Sequence, residues 1–194
     1  IICHLDLHEY ELARQLYCQA LPVAEAAADR DIIGIILANL ADLAVVEQAY
    51  DTAEPYARRA LALFHELGEL WQPPRLQRLL GAIAATRGDY AQAVAQIHES
   101  IRLNRKLGDQ RAVIAGLIAL AHNANLQRRH ALAARMLAAA EIALATEGAR
   151  LLPADRAIQK RALAAAKAGL PPAEWAAAWA DGRATPLEEA LMLV

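Results

Sequence analysis

The sequence predicts an all-α fold, an α-solenoid of tandem antiparallel helix hairpins with a C-terminal helical cap. Three observations predict it. Apolar residues recur with the helical period, and the alternating pattern of a half-buried strand is absent. The sequence aligns with itself when it is shifted by about 40 residues. The 194 residues are 57% hydrophobic, which is ample for a continuous buried core.

The internal repeat divides residues 1–148 into about four units, of which the first is truncated. One column of the repeat contains ring side chains at Tyr10, Tyr50, Tyr90 and His130. A second column contains Ala13, Ala53, Ala93 and Ala133. A third column, at the end of each unit, contains Ala28, Gly68, Gly108 and Gly148. Each unit is predicted to be one helix hairpin, because two helical patterns flank a short turn.

The third unit contains the tripeptide Arg87-Gly88-Asp89, which is known as a cell-adhesion signal. Its first helix is predicted over residues 74–87 and its second over residues 90–107. The tripeptide then forms the turn, where Gly88 can adopt a left-handed conformation and Asp89 can cap the next helix. The adhesion interpretation is disfavoured because the other units keep the ring residue and lose the tripeptide.

Small residues recur where the two helices of a hairpin must approach closely. They are Ala41, Gly81 and Ala121, each followed one turn later by Ala44, Ala84 or Ala124. Helix axes 8–10 Å apart leave no room for long side chains at the crossing. We therefore expect close contact with the second helix of each hairpin.

The spacing of these residues is similar to that of tetratricopeptide repeats, W-x2-L-G-x2-Y followed by A-x3-F. In the third unit the matching residues are Gln77, Leu80, Gly81, Ala84, Ala93, Ile97 and Ser100. The Trp and Phe anchors and the closing Pro are missing, and the period is about six residues longer than the usual 34. The longer unit resembles the helical arms of bacterial signalling ATPases and maltose-regulator-like transcription activators. This resemblance implies a superhelix whose first helices line a concave groove.

Residues 149–194 fall outside the repeat register and predict three short helices that pack on the last repeat as a capping segment. Pro171 and Pro172 are expected to open the second of these helices. Thr185 and Glu188 have the spacing of a capping box at the start of the third.

The tryptophans are expected to serve packing. Trp175 and Trp179 lie one turn apart and are predicted to dock on the last repeat, and Trp71 is assigned to packing as well.

Residues 170–191 resemble the extreme C-terminus of bacterial multidomain regulators, which join an ATPase module to a tetratricopeptide arm and often to a LuxR-type DNA-binding domain. The resemblance covers about residues 31–194. It implies that this chain is the arm of such a regulator, and neither its ATPase nor its DNA reader. The opening IICHLDLHEY lacks an initiator Met, and we therefore expect this chain to be a piece of a longer protein.

Charge and composition disfavour several classes of partner. A net charge of -2 gives no basic field for nucleic acid, and no apolar run reaches the length of a membrane span. With only Cys3 and Cys18, the sequence predicts a reducing compartment, the cytoplasm.

Catalytic signatures are missing from the sequence as well. No phosphate-binding, dinucleotide-binding, nucleophile-elbow or zinc-protease motif occurs, so we expect no enzyme, no catalytic residue and no cofactor. The best metal candidate is the set Cys3, His4 and His8, which is more simply explained as the polar surface of a truncated first helix. No metal is therefore expected.

The groove that the resemblance implies contains five candidate binding residues. They are Asp42, Arg75, Arg78, His122 and Asn125, all on first helices. Arg75 and Arg78 lie one turn apart and could together grip a carboxylate, an acidic peptide or a phosphate. The alternative for this pair is a solvated charged patch without a ligand.

The leading functional prediction is a non-enzymatic arm of a regulator that binds a protein, a peptide or a small effector in its groove. A second hypothesis is a self-association module that forms a homo-oligomer. A third is an enzyme built in the groove, which a cluster of His122, Asp42 and Arg78 within hydrogen-bonding distance of one another would support.

Overall fold

The computed structural model describes residues 9–194, which form ten helices and no strand. The helices are α1 (Tyr10–Ala26), α2 (Arg30–Val46), α3 (Tyr50–Leu67), α4 (Gln72–Thr86), α5 (Tyr90–Leu107), α6 (Gln110–Leu126), α7 (His130–Glu147), α8 (Pro153–Ala168), α9 (Pro172–Ala184) and α10 (Leu187–Leu191). The metal candidates Cys3, His4 and His8 lie outside the described residues.

Three helix hairpins, α2–α3, α4–α5 and α6–α7, pack in sequence order, and α1 packs on α2. Neighbouring hairpins contact each other through α3 with α4 and α5 with α6, and the first helices α4 and α6 also touch. The core therefore runs along the stack, and the predicted all-α repeat solenoid is confirmed. Within residues 9–194, no helix combines the length and the apolarity needed to cross a membrane.

The backbone turns repeat with the same period as the sequence. Between hairpins, left-handed φ angles of 53°, 70°, 74° and 60° occur at Ala28, Gly68, Gly108 and Gly148. Within hairpins, left-handed φ angles of 62°, 89° and 61° occur at Gln48, Gly88 and Arg128. Glycine adopts this conformation without strain, whereas other residues adopt it at a cost. The left-handed turn thus occurs at equivalent positions of the described repeats, whether or not the residue there is glycine.

The tripeptide at residues 87–89 serves the fold, as predicted. Gly88 forms the left-handed turn, and Arg87 pairs with Asp51 at 2.9 Å and with Glu54, both on the preceding repeat. Asp89 stands at the N-cap of α5, but its side chain makes no capping hydrogen bond, so that expectation is wrong. Capping by aspartate occurs instead at Asp109, whose Oδ1 accepts from the Ala112 amide at 2.9 Å.

The small residues at the hairpin crossings are buried, as expected. Ala41 and Ala121 are each 0% exposed. A Cβ atom on Gly81 would lie 2.8 Å from Ile97 Cγ1 and 3.0 Å from the carbonyl oxygen of Ala93 on the facing helix. Glycine is therefore required at this crossing by the short distance between α4 and α5.

Two helices of the tail, α9 and α10, pack on α7 and cover the last repeat. Trp175 and Trp179 stack with ring centroids 4.9 Å apart and pack against the core. The capping box predicted at α10 does not form. The Thr185 hydroxyl donates instead to the carbonyl oxygen of Asp181 at 2.9 Å, and Pro186 takes the N-cap position.

The first helix of the tail, α8, takes a different path. It packs on α6 and α7, but it also reaches back to contact α2. It thus lies across the face formed by the first helices α2, α4 and α6, where the resemblance to tetratricopeptide repeats implies a concave groove. As a result α6 contacts α4, α5, α7 and α8, and nearly its whole surface is buried.

Candidate functional site

Three polar contacts hold α8 on the face of the first helices. Arg78 of α4 donates two hydrogen bonds to Asp155, from Nε to Oδ1 at 3.0 Å and from Nη2 to Oδ2 at 2.8 Å. Asn125 of α6 donates to the carbonyl oxygen of Ala162 at 2.7 Å. Arg161 donates to the carbonyl oxygen of Val45 at 3.3 Å, near the C-terminus of α2, where a cation is favourable. Each of the three first helices is therefore linked to α8.

The sequence contains a signal that Asp155 is buried and paired, and the sequence analysis did not use it. Asp155 shares one face of α8 with the buried residues Ile158, Ala162 and Ala166. An acid on an otherwise apolar helix face is expected to have a buried partner, because an unpaired buried charge is strongly unfavourable. That partner is Arg78.

Asp42 and Arg75, two of the predicted groove residues, form an ion pair between α2 and α4. Arg75 also donates to Asn39 Oδ1 at 3.1 Å and to Gln72 Oε1 at 3.2 Å. Burial raises the pKa of the Asp42 carboxyl above its ordinary value, while the Arg75 charge acts in the opposite direction. The predicted ability of this arginine to grip a carboxylate is thus used within the chain.

His122 and Asn125 lie under α8 and do not line an open groove. The His122 side chain belongs to a residue only 8% exposed, and burial, together with the nearby charge of Arg161, lowers its pKa to about 4. Its imidazole is therefore neutral at pH 7. Asn125 bonds to α8 through its amide nitrogen, and its Oδ1 lies 3.0 Å from Nδ1 of His130.

A cavity of about 480 Å³ remains beside the N-terminal end of α8. Its lining comes from α2, from the first turns of α4 and α6, from the end of α5, and from Leu152 and Pro153 at the start of α8. It brings together three of the five predicted residues, Asp42, Arg75 and Arg78. His122 and Asn125 do not line it.

Two residues of this cavity, Arg111 and Trp71, were missed by the sequence analysis. Arg111 lies in the first turn of α6, the first helix of the fourth unit, and donates to Asp109 Oδ2 at 2.9 Å. Trp71 was assigned to packing, which is wrong, because the residue is 60% exposed and lines the cavity. Its position in the turn before α4, and not within a helix, is the signal that separates it from Trp175 and Trp179.

The three arginines of the cavity have hydrogen-bonding capacity to spare. In the described part of the chain, Arg75 Nε, Arg78 Nη1 and Arg111 Nη1 are buried without a hydrogen-bond acceptor. A buried donor without an acceptor is unfavourable by about 1–3 kcal/mol, more for a charged group. The cavity is therefore suited to a ligand that brings acceptors.

No family model and no curated protein matches this chain. The resemblance to tetratricopeptide arms accordingly stays a prediction.

His122, Asp42 and Arg78 do not form the cluster that would support an enzyme built in the groove. Asp42 pairs with Arg75, and Arg78 pairs with Asp155. The His122 side chain makes no hydrogen bond with Asp42 or with Arg78. Among residues 9–194 there is also no group of three His, Cys, Asp or Glu side chains arranged to hold a metal ion. Asp42 and Arg78 are thus engaged in two separate ion pairs.

Proposed function

We propose that this chain is a non-enzymatic effector-binding arm of a bacterial signalling or transcriptional regulator, and that its effector is a small molecule. The observation that carries the proposal is the cavity of about 480 Å³ on the face of the first helices, with walls from three repeat units and α8. The regulator context is suggested by the resemblance of residues 170–191 to the C-termini of such proteins.

A small molecule is favoured over a peptide because α8 already occupies the face of the first helices. A peptide lying along that face would have to displace α8 and break the buried pair between Arg78 and Asp155. The cavity volume falls within the range of about 300–1,000 Å³ that is typical of small-molecule sites. A small effector fits without any rearrangement of α8.

A ligand bound in the cavity can affect the rest of the arm through the helices that form the cavity walls. A ligand that touches α2, α4 and α6 would add a second bridge to hairpins that α8 already links, so it would stiffen the stack. Arg78 contacts both the cavity and Asp155, which gives α8 a direct link to the ligand. This is the route by which binding would be passed to an attached domain.

A thermal-unfolding screen against small metabolites tests the proposal. Ile35 lines the cavity and is 39% exposed, so Ile35→Trp should fill the cavity without disturbing the core. Ile32, one turn earlier on α2 and 45% exposed, is outside the lining and provides the matched control Ile32→Trp. A ligand stabilises the folded state in proportion to the logarithm of its concentration over Kd. We expect compounds that raise Tm in the wild type and in Ile32→Trp but not in Ile35→Trp.

Compounds that stabilise both variants equally would bind elsewhere and would contradict the proposal. Self-association, the second prediction from the sequence, would appear in the same samples as a concentration-dependent mass in sedimentation.

A further inference from the structure

The arginines that line the cavity contain three N–H donors without an acceptor among residues 9–194. Arg78 is 3% exposed and uses Nε and Nη2 on Asp155, which leaves Nη1 buried without an acceptor. Arg75 Nε and Arg111 Nη1 are in the same condition. The three arginines come from two neighbouring repeats, and all three line one cavity. The matching ligand group is one with several acceptor oxygens on a single centre.

The carboxylates of the site are already engaged. Asp155 accepts from Arg78 with both oxygens. Asp109 accepts from the Ala112 amide with Oδ1 and from Arg111 with Oδ2. Asp42 accepts from Arg75. A cationic ligand group would therefore compete with an arginine for each of these carboxylates, whereas an anionic group needs none of them.

The charges of the site balance in pairs, one aspartate for each arginine. The site thus offers directed N–H groups without a large excess of positive charge. Such an environment favours a single negative charge over two, because the second would meet three carboxylates without net compensation. A carboxylate satisfies this condition better than a phosphate dianion.

Two exposed apolar side chains, Trp71 and Ile35, line the cavity. Trp71 is 60% exposed and Ile35 is 39% exposed, and both line the cavity on the side of α2 and the turn before α4. An exposed tryptophan ring offers a flat apolar surface on which a planar or aliphatic body can lie.

We infer that the ligand of this site is a small monocarboxylate with an apolar body, its carboxylate bound by Arg75, Arg78 and Arg111 and its body placed against Trp71 and Ile35. The inference rests on the proposed function and specifies the ligand class for the same cavity. It differs from the expectation of an acidic peptide, because α8 fills the remainder of the face.

Four probes that share a phenyl body and differ in their head group, together with propionate, which lacks that body, test the inference. The probes are 3-phenylpropionate, 3-phenylpropanamide, 3-phenylpropylamine, 2-phenylethyl phosphate and propionate, titrated by calorimetry at pH 7.5. We expect 3-phenylpropionate to bind with the lowest Kd and the amide, the amine and the phosphate to bind at least about tenfold more weakly. Propionate should also bind more weakly, because it lacks the body that contacts Trp71.

Two arginine variants locate the binding. Arg111→Gln removes a cavity arginine that is not part of the buried pair with Asp155, and it should raise the Kd of 3-phenylpropionate at least about tenfold. Arg102→Gln is the control, since Arg102 pairs with Glu99 on α5 and does not line the cavity. It should leave the Kd unchanged, and far-ultraviolet circular dichroism should show both variants folded.

Three results would overturn the inference. One is equal affinity for the amide and the carboxylate with both sensitive to Ile35→Trp, which would leave the small-molecule site intact and remove only the ligand class. Another is tighter binding of the phosphate than of the carboxylate. A third is no binding of 3-phenylpropionate at 10 mM while another compound from the metabolite screen binds in a manner sensitive to Ile35→Trp.

Discussion

The guanidinium of Arg78 and the carboxylate of Asp155 meet in two parallel hydrogen bonds, although 77 residues separate them in the chain. Their side chains are 3% and 6% exposed. The pair joins the middle of the repeat stack to the first helix of the tail. It also places one arginine of the cavity in a fixed orientation.

Breaking this pair should strongly destabilise the protein. Asp155→Asn leaves the Arg78 charge buried without a counter-charge, and we expect a loss of about 3–5 kcal/mol in the free energy of unfolding, measured in urea. The combined change Arg78→Met with Asp155→Leu should recover most of the loss, because it removes both charges. Glu99→Gln, which breaks an exposed pair on α5, should remain close to wild type. A loss below about 1 kcal/mol for Asp155→Asn would show that α8 is not held by this pair.

His122 should make the stability depend on pH below neutrality. Its pKa is about 4 in the folded protein against 6.5 for the free side chain, so the unfolded state binds the proton first as the pH falls. Stability from this group is therefore complete above pH 6.5 and is lost as the pH falls towards 4, by about 3 kcal/mol in total. The difference in unfolding free energy between wild type and His122→Gln, followed from pH 7.5 to pH 4, measures it. A difference that stays constant over that range would contradict the assignment, since other titrating groups are common to both proteins.

Enlarging Gly81 should separate α4 from α5. Even a Cβ atom there would meet Ile97 and the backbone of Ala93, so Gly81→Leu is expected to lower stability by roughly 1–3 kcal/mol. Ala95→Leu adds the same side chain at an exposed position of α5 and serves as the control. Differential scanning calorimetry of both variants gives the comparison, and an unchanged Tm for Gly81→Leu would count against the tight crossing.

Substitutions at equivalent turn positions should change the free energy of unfolding in opposite directions. Gln48 adopts a φ of 62° in a column where Gly88 adopts 89°. Gln48→Gly relieves the left-handed strain and should stabilise the protein by about 0.5–1 kcal/mol, after allowance for the greater freedom of glycine in the unfolded chain. Gly88→Gln should destabilise it by a similar amount. The same sign for both substitutions in chemical denaturation would refute the equivalence of the two turns.

Local rules account for most of what the sequence predicted correctly. The second helix of the third unit was predicted over residues 90–107 and is observed as Tyr90–Leu107, because a ring residue starts it and a left-handed glycine ends it. The first helix of that unit starts at Gln72, before the predicted residue 74, since two prolines are tolerated in the first turn. Helix periodicity and turn residues were sufficient for these elements.

The site required information that local rules do not contain. The position of α8 depends on contacts between residues far apart in the chain, such as Arg161 with Val45, and no spacing rule predicts them. Arg75 and Arg78 were predicted to grip a carboxylate of a ligand, and the carboxylates they contact, Asp42 and Asp155, belong to the protein itself. The cavity exists because α8 covers only part of the face that the repeats create.

The return of α8 to α2 also bears on how the chain reaches its fold. In an open stack of hairpins, each unit can form as soon as its neighbour is present, and the ends can fray independently. Here Asp155, the counter-charge of Arg78, and Arg161, the cation at the end of α2, are present only after residues 155–161 have been synthesised. Until then the face of the first helices, Arg78 included, is not covered by α8, so completion of the native state waits for the last quarter of the chain, and the repeats and the tail are expected to fold as one cooperative unit.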